Sequence, residues 1–169
     1  MGELDVMNQQ DPAALIAEIR RELAWLEESV RIFSELTANT NDAEALARAA
    51  VRLHDFYMGC ERIFQLIAAT VNGGAILGFD WHNRLLDHAA REVENIRPPV
   101  ISTPTYERLG ELLHFRQVVN NIYGYMIDPC RVHELALLTV ELYPRLVAEI
   151  ERFHRFLLRF PHPTRKAEQ

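Results

Sequence analysis

Glycine is scarce in this chain, 7 of 169 residues, and what there is forms no phosphate loop. Gly73-Gly74 lacks the following Lys and Ser/Thr that such a loop needs. Strand patterning is missing as well. Apolar and polar residues never alternate over four positions without also fitting a helix. Cysteine occurs twice, at Cys60 and Cys130, with neither a CxxC nor the Cys/His spacing of a zinc site. Both lie among apolar residues of helical segments and are expected as buried free thiols. A basic excess is absent too, with a net charge of −6. A protein that coats nucleic acid usually carries a large positive excess, so RNA binding here requires a local basic cleft.

No apolar run approaches the ~20 residues needed to span a bilayer. The opening "MGELDVMNQQDP" has neither the basic n-region nor the apolar h-region of a signal peptide. Its Met-Gly start fits only the beginning of the myristoylation pattern, because Val6 stands where Ser or Thr is needed. Together these absences predict a cytoplasmic protein with reduced thiols and no membrane partner.

What is present favours helix. Ala, Leu, Glu and Arg dominate, and 49% apolar with 25% charged residues is ordinary for a soluble globular chain. The length suits one domain over 1–169, with 1–10 and 161–169 as flexible tails, and roughly 70% of the unfolded surface can be buried. Asp11-Pro12 reads as an N-cap followed by a first-turn proline. Leu15, Ile19, Leu23, Leu26, Val30, Phe33 and Leu36 then recur at steps of three and four, one stripe on a long helix. "TANTND" (37–42) interrupts it, and Asn41 or Asp42 can cap the next helix. That helix carries Leu46, Ala50, Leu53, Tyr57, Cys60, Phe64, Ile67 and Val71, and Gly73-Gly74 ends it.

A short helix follows with Trp81, Leu85, Ala89 and Val93 inward. "RPPVISTP" (97–104) cannot be helical. Thr103-Pro104 repeats the cap-plus-proline device before a helix with Leu109, Leu112, Leu113, Val119 and Ile122. Asp128-Pro129 opens the last helix, striped by Val132, Leu135, Leu138, Leu142, Leu146, Ile150, Phe153 and Leu157, with a kink expected at Pro144. The prediction is an all-α antiparallel bundle with helices near 12–37, 42–72, 80–95, 104–124 and 129–160.

Seven histidines invite a metal hypothesis that their spacing does not support. His82 and His88 diverge on a helix, and the pairs His54-Asp55 and His133-Glu134 are adjacent and point apart. There is no HExxH, no repeated Glu-x-x-His and no Gly-x-Ser-x-Gly elbow. The histidines read as surface or capping residues, and neither metal nor cofactor is implied.

The stretch "HFRQVVNNIYGYMIDP" is different. At about 100° per residue, Asn120 lies about 40° and Tyr123 about 20° from Arg116, to either side of it, so the three share a face. Asn121 points to the side unless the helix is unwinding before Gly124. A planar guanidinium suits phosphate, and Asn and Tyr add hydrogen bonds and stacking. A plain polar helix end, its arginine paired with a glutamate elsewhere, fits the same residues.

The segment "WHNRLLDHAAREVENIRPPVISTPTYERLGELLHFRQVVNNIYGYMIDPCRVHEL" resembles the HepT-like branch of the HEPN superfamily. The resemblance is close over roughly 80–158. Its motif, Arg-x4-His-x-Tyr, reads here as Arg116, Asn121 and Tyr123. Trp81-His82, the proline-rich approach and the Asp-Pro that follows strengthen the likeness. The resemblance implies a homodimer and a metal-independent endoribonuclease acting on tRNA or mRNA. Arg116 and Asn121 then occupy the catalytic positions, and Arg116, Asn120 and Tyr123 contact RNA. It also implies a minimal nucleotidyltransferase (MntA-type) antitoxin as partner, which silences the toxin by AMPylation of Tyr123.

Asn121 is the departure. Histidine exchanges a proton near neutral pH and an amide does not, and general acid–base catalysis contributes typically ~10²–10⁴ in rate. Three readings therefore stand: a ribonuclease toxin, a degenerate HEPN protein that binds RNA or nucleotide without cutting, and a non-catalytic subunit of the nucleotidyltransferase.

Overall fold

Aspartates start three of the helices in the computed structural model. It describes residues 11–36, 42–121 and 127–159, without the side chains of Leu36, Asn120 and Asn121. Asp11 accepts the Ala13 N–H at 3.1 Å and opens α1, Pro12–Leu36. Asp42 accepts from Glu44 and Ala45 at 3.0 and 3.3 Å and opens α2, Ala43–Val71. Asp128 accepts from Cys130 at 2.9 Å and opens α5, Pro129–Arg159. Each carboxylate satisfies an amide that the helix itself leaves without an acceptor. Between them stand α3, Trp81–Ala90, and α4, Thr103–Asn121.

The result is the all-α bundle that the apolar stripes predict, with α2 packed against every other helix. α1 lies on α2 and α5, and α4 on α2, α3 and α5. Tyr57, Phe33, Phe56 and Phe153 are among the largest side chains sealed in the core. Gly59 lets α1 come close to α2, since a Cβ there would stand 2.5 Å from the Leu26 Cδ2. At the end of α2, Gly73 takes φ +79 and carries the chain out of the helix.

Several expectations are corrected. Cys60 is buried, but Cys130, in the first turn of α5, is exposed and free. α3 ends at Ala90 rather than near 95, because Asn95 turns with φ +61 and Val93 pairs with Arg97. α4 starts one residue early. The buried Glu149 carboxylate of α5 accepts the Ser102 N–H at 3.1 Å and the Ser102 hydroxyl, so Ser102 rather than Thr103 closes that end. Pro144 lies inside α5, as the stripe predicts. The expected tails 1–10 and 161–169, most of the 37–42 break, and Ile122 lie outside the described residues. Among the described residues no helix is long and apolar enough to cross a membrane.

The proline-rich connection is fixed by Arg97, a buried residue at 3% exposure. Its Nε donates to Asn72 Oδ1 at 3.1 Å. Nη1 donates to the Arg91 and Pro98 carbonyls, each at 3.0 Å. Nη2 donates to the His88 carbonyl at 2.8 Å and to His88 Nδ1 at 3.0 Å. All five N–H groups are used, and burial pushes the guanidinium down to about 10, still charged at neutral pH. Arg97→Lys, which keeps the charge but loses the fork, is expected to destabilise the fold by about 2–4 kcal/mol. Chemical denaturation of the two proteins measures this, and equal midpoints and slopes would refute it.

Candidate functional site

A carboxylate in the middle of a helical core needs partners, and Glu61 of α2 has two. The residue is buried, at 4% exposure, although it sits beside Tyr57, Cys60 and Phe64 on the apolar side of its helix. His82 approaches from the first turn of α3, with Nδ1 2.6 Å from Glu61 Oε1. Arg116 approaches from α4, with Nε 4.0 Å from Glu61 Oε2. The circuit closes between the two partners, where Arg116 Nη1 lies 3.3 Å from His82 Nε2. Trp81 stacks on the imidazole, ring centroids 3.7 Å apart.

The partners assign the imidazole tautomer. A guanidinium only donates, so Nε2 presents its lone pair to Arg116 and Nδ1–H donates to Glu61. Burial raises the Glu61 carboxyl above its ordinary range, while His82, Arg116 and the more distant His54 pull it back. Nearby Tyr57 has its phenol pushed up, first by burial and then by the Glu61 charge, with Arg116 acting in the opposite sense. Side-chain exposure rises from 6% at Glu61 through 13% at Arg116 to 23% at His82, so the cluster opens to solvent on its histidine side.

Arg116 contrasts with Arg97. Among the described residues it makes one hydrogen bond, to His82, and its buried Nε has no hydrogen-bond partner. At 4.0 Å the contact with Glu61 is an ion pair without a hydrogen bond. The alternative of an arginine paired with a glutamate elsewhere is thus present, but the pairing leaves donor capacity unused.

Of the motif residues, Arg116 is placed in this cluster. Positions 120 and 121 belong to the last turn of α4, and their side chains lie outside the description. Tyr123 lies outside the described residues. His82 and His88 diverge as the spacing predicts: His82 meets Glu61, whereas His88 serves Arg97 and Asn72. Where the sequence suggests surface or capping histidines, both are half-buried and bonded to residues outside α3. Glu61 carries no motif in the sequence. Its signal is a lone carboxylate at helical spacing within the stripe Tyr57, Cys60, Phe64 and Ile67. Among the described residues no three His, Cys, Asp or Glu side chains gather as a metal site would require.

Removing Arg116 strands the Glu61 charge. Arg116→Met is expected to cost about 1–3 kcal/mol, below the full value for a buried pair because the arginine is partly exposed. The carboxyl is raised in the folded state, so the unfolded chain ionises it first and stability falls as pH rises past about 4.3. The loss should therefore deepen between acid and neutral pH. Adding Glu61→Gln should recover part of it, a coupling of about 1 kcal/mol. Strictly additive losses in a double-mutant cycle would show that the pair does not interact.

No curated protein and no solved structure matches the chain. The model of a family described as HepT-like protein matches residues 48–157, a span that takes in Glu61, His82, Arg116 and Asn121. The match covers more than half of the chain, which therefore belongs to the HepT-like family.

Proposed function

We propose that the chain is the toxin of a toxin–antitoxin pair. On this reading it is a metal-independent endoribonuclease that acts on tRNA or mRNA as a homodimer and is silenced by a minimal nucleotidyltransferase. The observation that carries the reading is Arg116: it stands where the resemblance puts the motif arginine, and the described residues leave guanidinium donors unused beside a partly exposed histidine. A phosphodiester needs such a fork to bind its oxygens and to stabilise the charge that grows on them. Net charge does not oppose this, since one cleft lined by Arg116 and Arg116 of a second copy would concentrate positive charge where the body is acidic. An isologous pairing is the common way to bring two identical faces together.

A second reading is favoured by Asn121, which cannot exchange protons, and by the engagement of Arg116 with Glu61. In it the protein binds RNA or nucleotide, or serves the nucleotidyltransferase as a subunit, without cutting.

Incubation with total tRNA separates the two. Cleavage is expected to persist in EDTA and to fall about 10²–10³-fold in Arg116→Lys. Intact tRNA after incubation with the wild type would favour the second reading.

Tyr123 provides the off-switch. It is seven residues from Arg116, two helical turns along the same face if the helix continues to it. Transfer of AMP from ATP to its hydroxyl, with release of pyrophosphate, would set a bulky anion before the arginine and compete for it. Co-expression with a cognate nucleotidyltransferase should add one AMP mass to the wild type and none to Tyr123→Phe. An adduct that maps to another residue would refute the switch.

A further inference from the structure

The family motif asks for a histidine where Asn121 stands, yet an imidazole is already in contact with Arg116. We propose that His82, from α3, is the general base of the ribonuclease site, with Glu61 as its positioning residue. The inference rests on the ribonuclease reading given above and names a residue that the motif does not contain.

The geometry meets the requirements of such a base. The nitrogen that must take a proton carries the lone pair, because Nε2 faces a donor-only guanidinium at 3.3 Å. The other nitrogen is anchored at 2.6 Å by a carboxylate that solvent barely reaches, so the tautomer and the ring plane are fixed. Trp81 restrains the ring from one face. His82 is the most exposed of the three, so a substrate can reach it without opening the core. An arginine and a lone-pair nitrogen 3.3 Å apart would place a phosphate oxygen and a neighbouring 2′-hydroxyl side by side.

The step balances without a further reagent. Nε2 takes the 2′-OH proton as the 2′-oxygen bonds to phosphorus, and the bond from phosphorus to the 5′-oxygen breaks. Arg116 turns its guanidinium donors to the phosphorane oxygens. The departing 5′-oxygen takes a proton from water, and the imidazolium returns its own to solvent, leaving a 2′,3′-cyclic phosphate and a 5′-hydroxyl. The charged groups facing His82 are Glu61 from α2 and Arg116 from α4, and Tyr57 and His54 lie within electrostatic reach of Glu61.

The test is tRNA cleavage by the full chain, with melting curves to confirm folding. His82→Asn is expected to lose about 10²-fold or more, whereas the control His133→Asn keeps the wild-type rate. Free imidazole should restore part of the activity of His82→Ala. Glu61→Gln should keep some activity but move the acid limb of its kcat/KM profile to lower pH, because the imidazolium loses its counter-charge. Cleavage by the wild type that depends on Arg116 but survives His82→Asn would overturn this inference and leave the ribonuclease reading intact. Loss in His82→Asn with neither imidazole rescue nor a shifted limb in Glu61→Gln would make His82 structural and also overturn it. No cleavage by the wild type would overturn both.

Discussion

A carboxylate placed in the wall of an apolar core dictates what must surround it. Glu61 lies on α2, the helix that touches all others, and cannot be moved to the surface without turning that whole helix. Left alone it would cost several kcal/mol or lose its charge. The structure supplies a partner from each of two neighbouring helices, the His82 donor at 2.6 Å and the Arg116 counter-charge at 4.0 Å. One buried charge thereby sets the facing of α3 and α4 as well as the orientation of their side chains. The polar cluster follows from the packing and is not an appendage to it.

Arg97 and Arg116 show how a structural guanidinium differs from an available one. Arg97 has every donor occupied by a carbonyl, an amide oxygen or an imidazole nitrogen. It can bind nothing more without breaking the loop it holds. Arg116 has a counter-charge but a single hydrogen bond among the described residues. Its desolvation is partly offset by Glu61, and the described residues do not consume its hydrogen-bonding capacity. A guanidinium in that condition gains from an incoming phosphate, which would satisfy donors that the described residues leave open.

The helices and most of the core were legible because stripes at steps of three and four survive any choice of tertiary neighbours. Asp-Pro at 11 and 128 and Asp42 announced their caps for the same local reason. What was not legible depends on distant partners. Ser102 replaces Thr103 at the head of α4 because Glu149, 47 positions away, receives its donors. Asn95 turns the chain early because Arg97 is drawn inward. Cys130 falls among apolar residues in sequence but in the first turn of α5, where its side chain meets solvent. In the candidate site, Arg116 stood out through its polar neighbours. His82 did not, because periodicity says which way a residue points and not what lies opposite. Glu61 was hidden in an apolar stripe that seemed complete without it.

The arrangement also ties the candidate site to the loop at the other end of α3. His82 occupies the first turn of that helix and His88 the last. His88 is held through its ring and carbonyl by Arg97, which also binds Asn72 at the end of α2. Both ends of a ten-residue helix are thus fastened to α2, one through Glu61 and one through Asn72. A helix anchored at one end can pivot, and a pivot of an ångström would take Nε2 out of reach of a group beside Arg116. Anchored at both, it holds the imidazole at a fixed distance from the guanidinium. On that argument the proline-rich connection, which contains no candidate chemistry, serves the site by fixing the helix that carries His82.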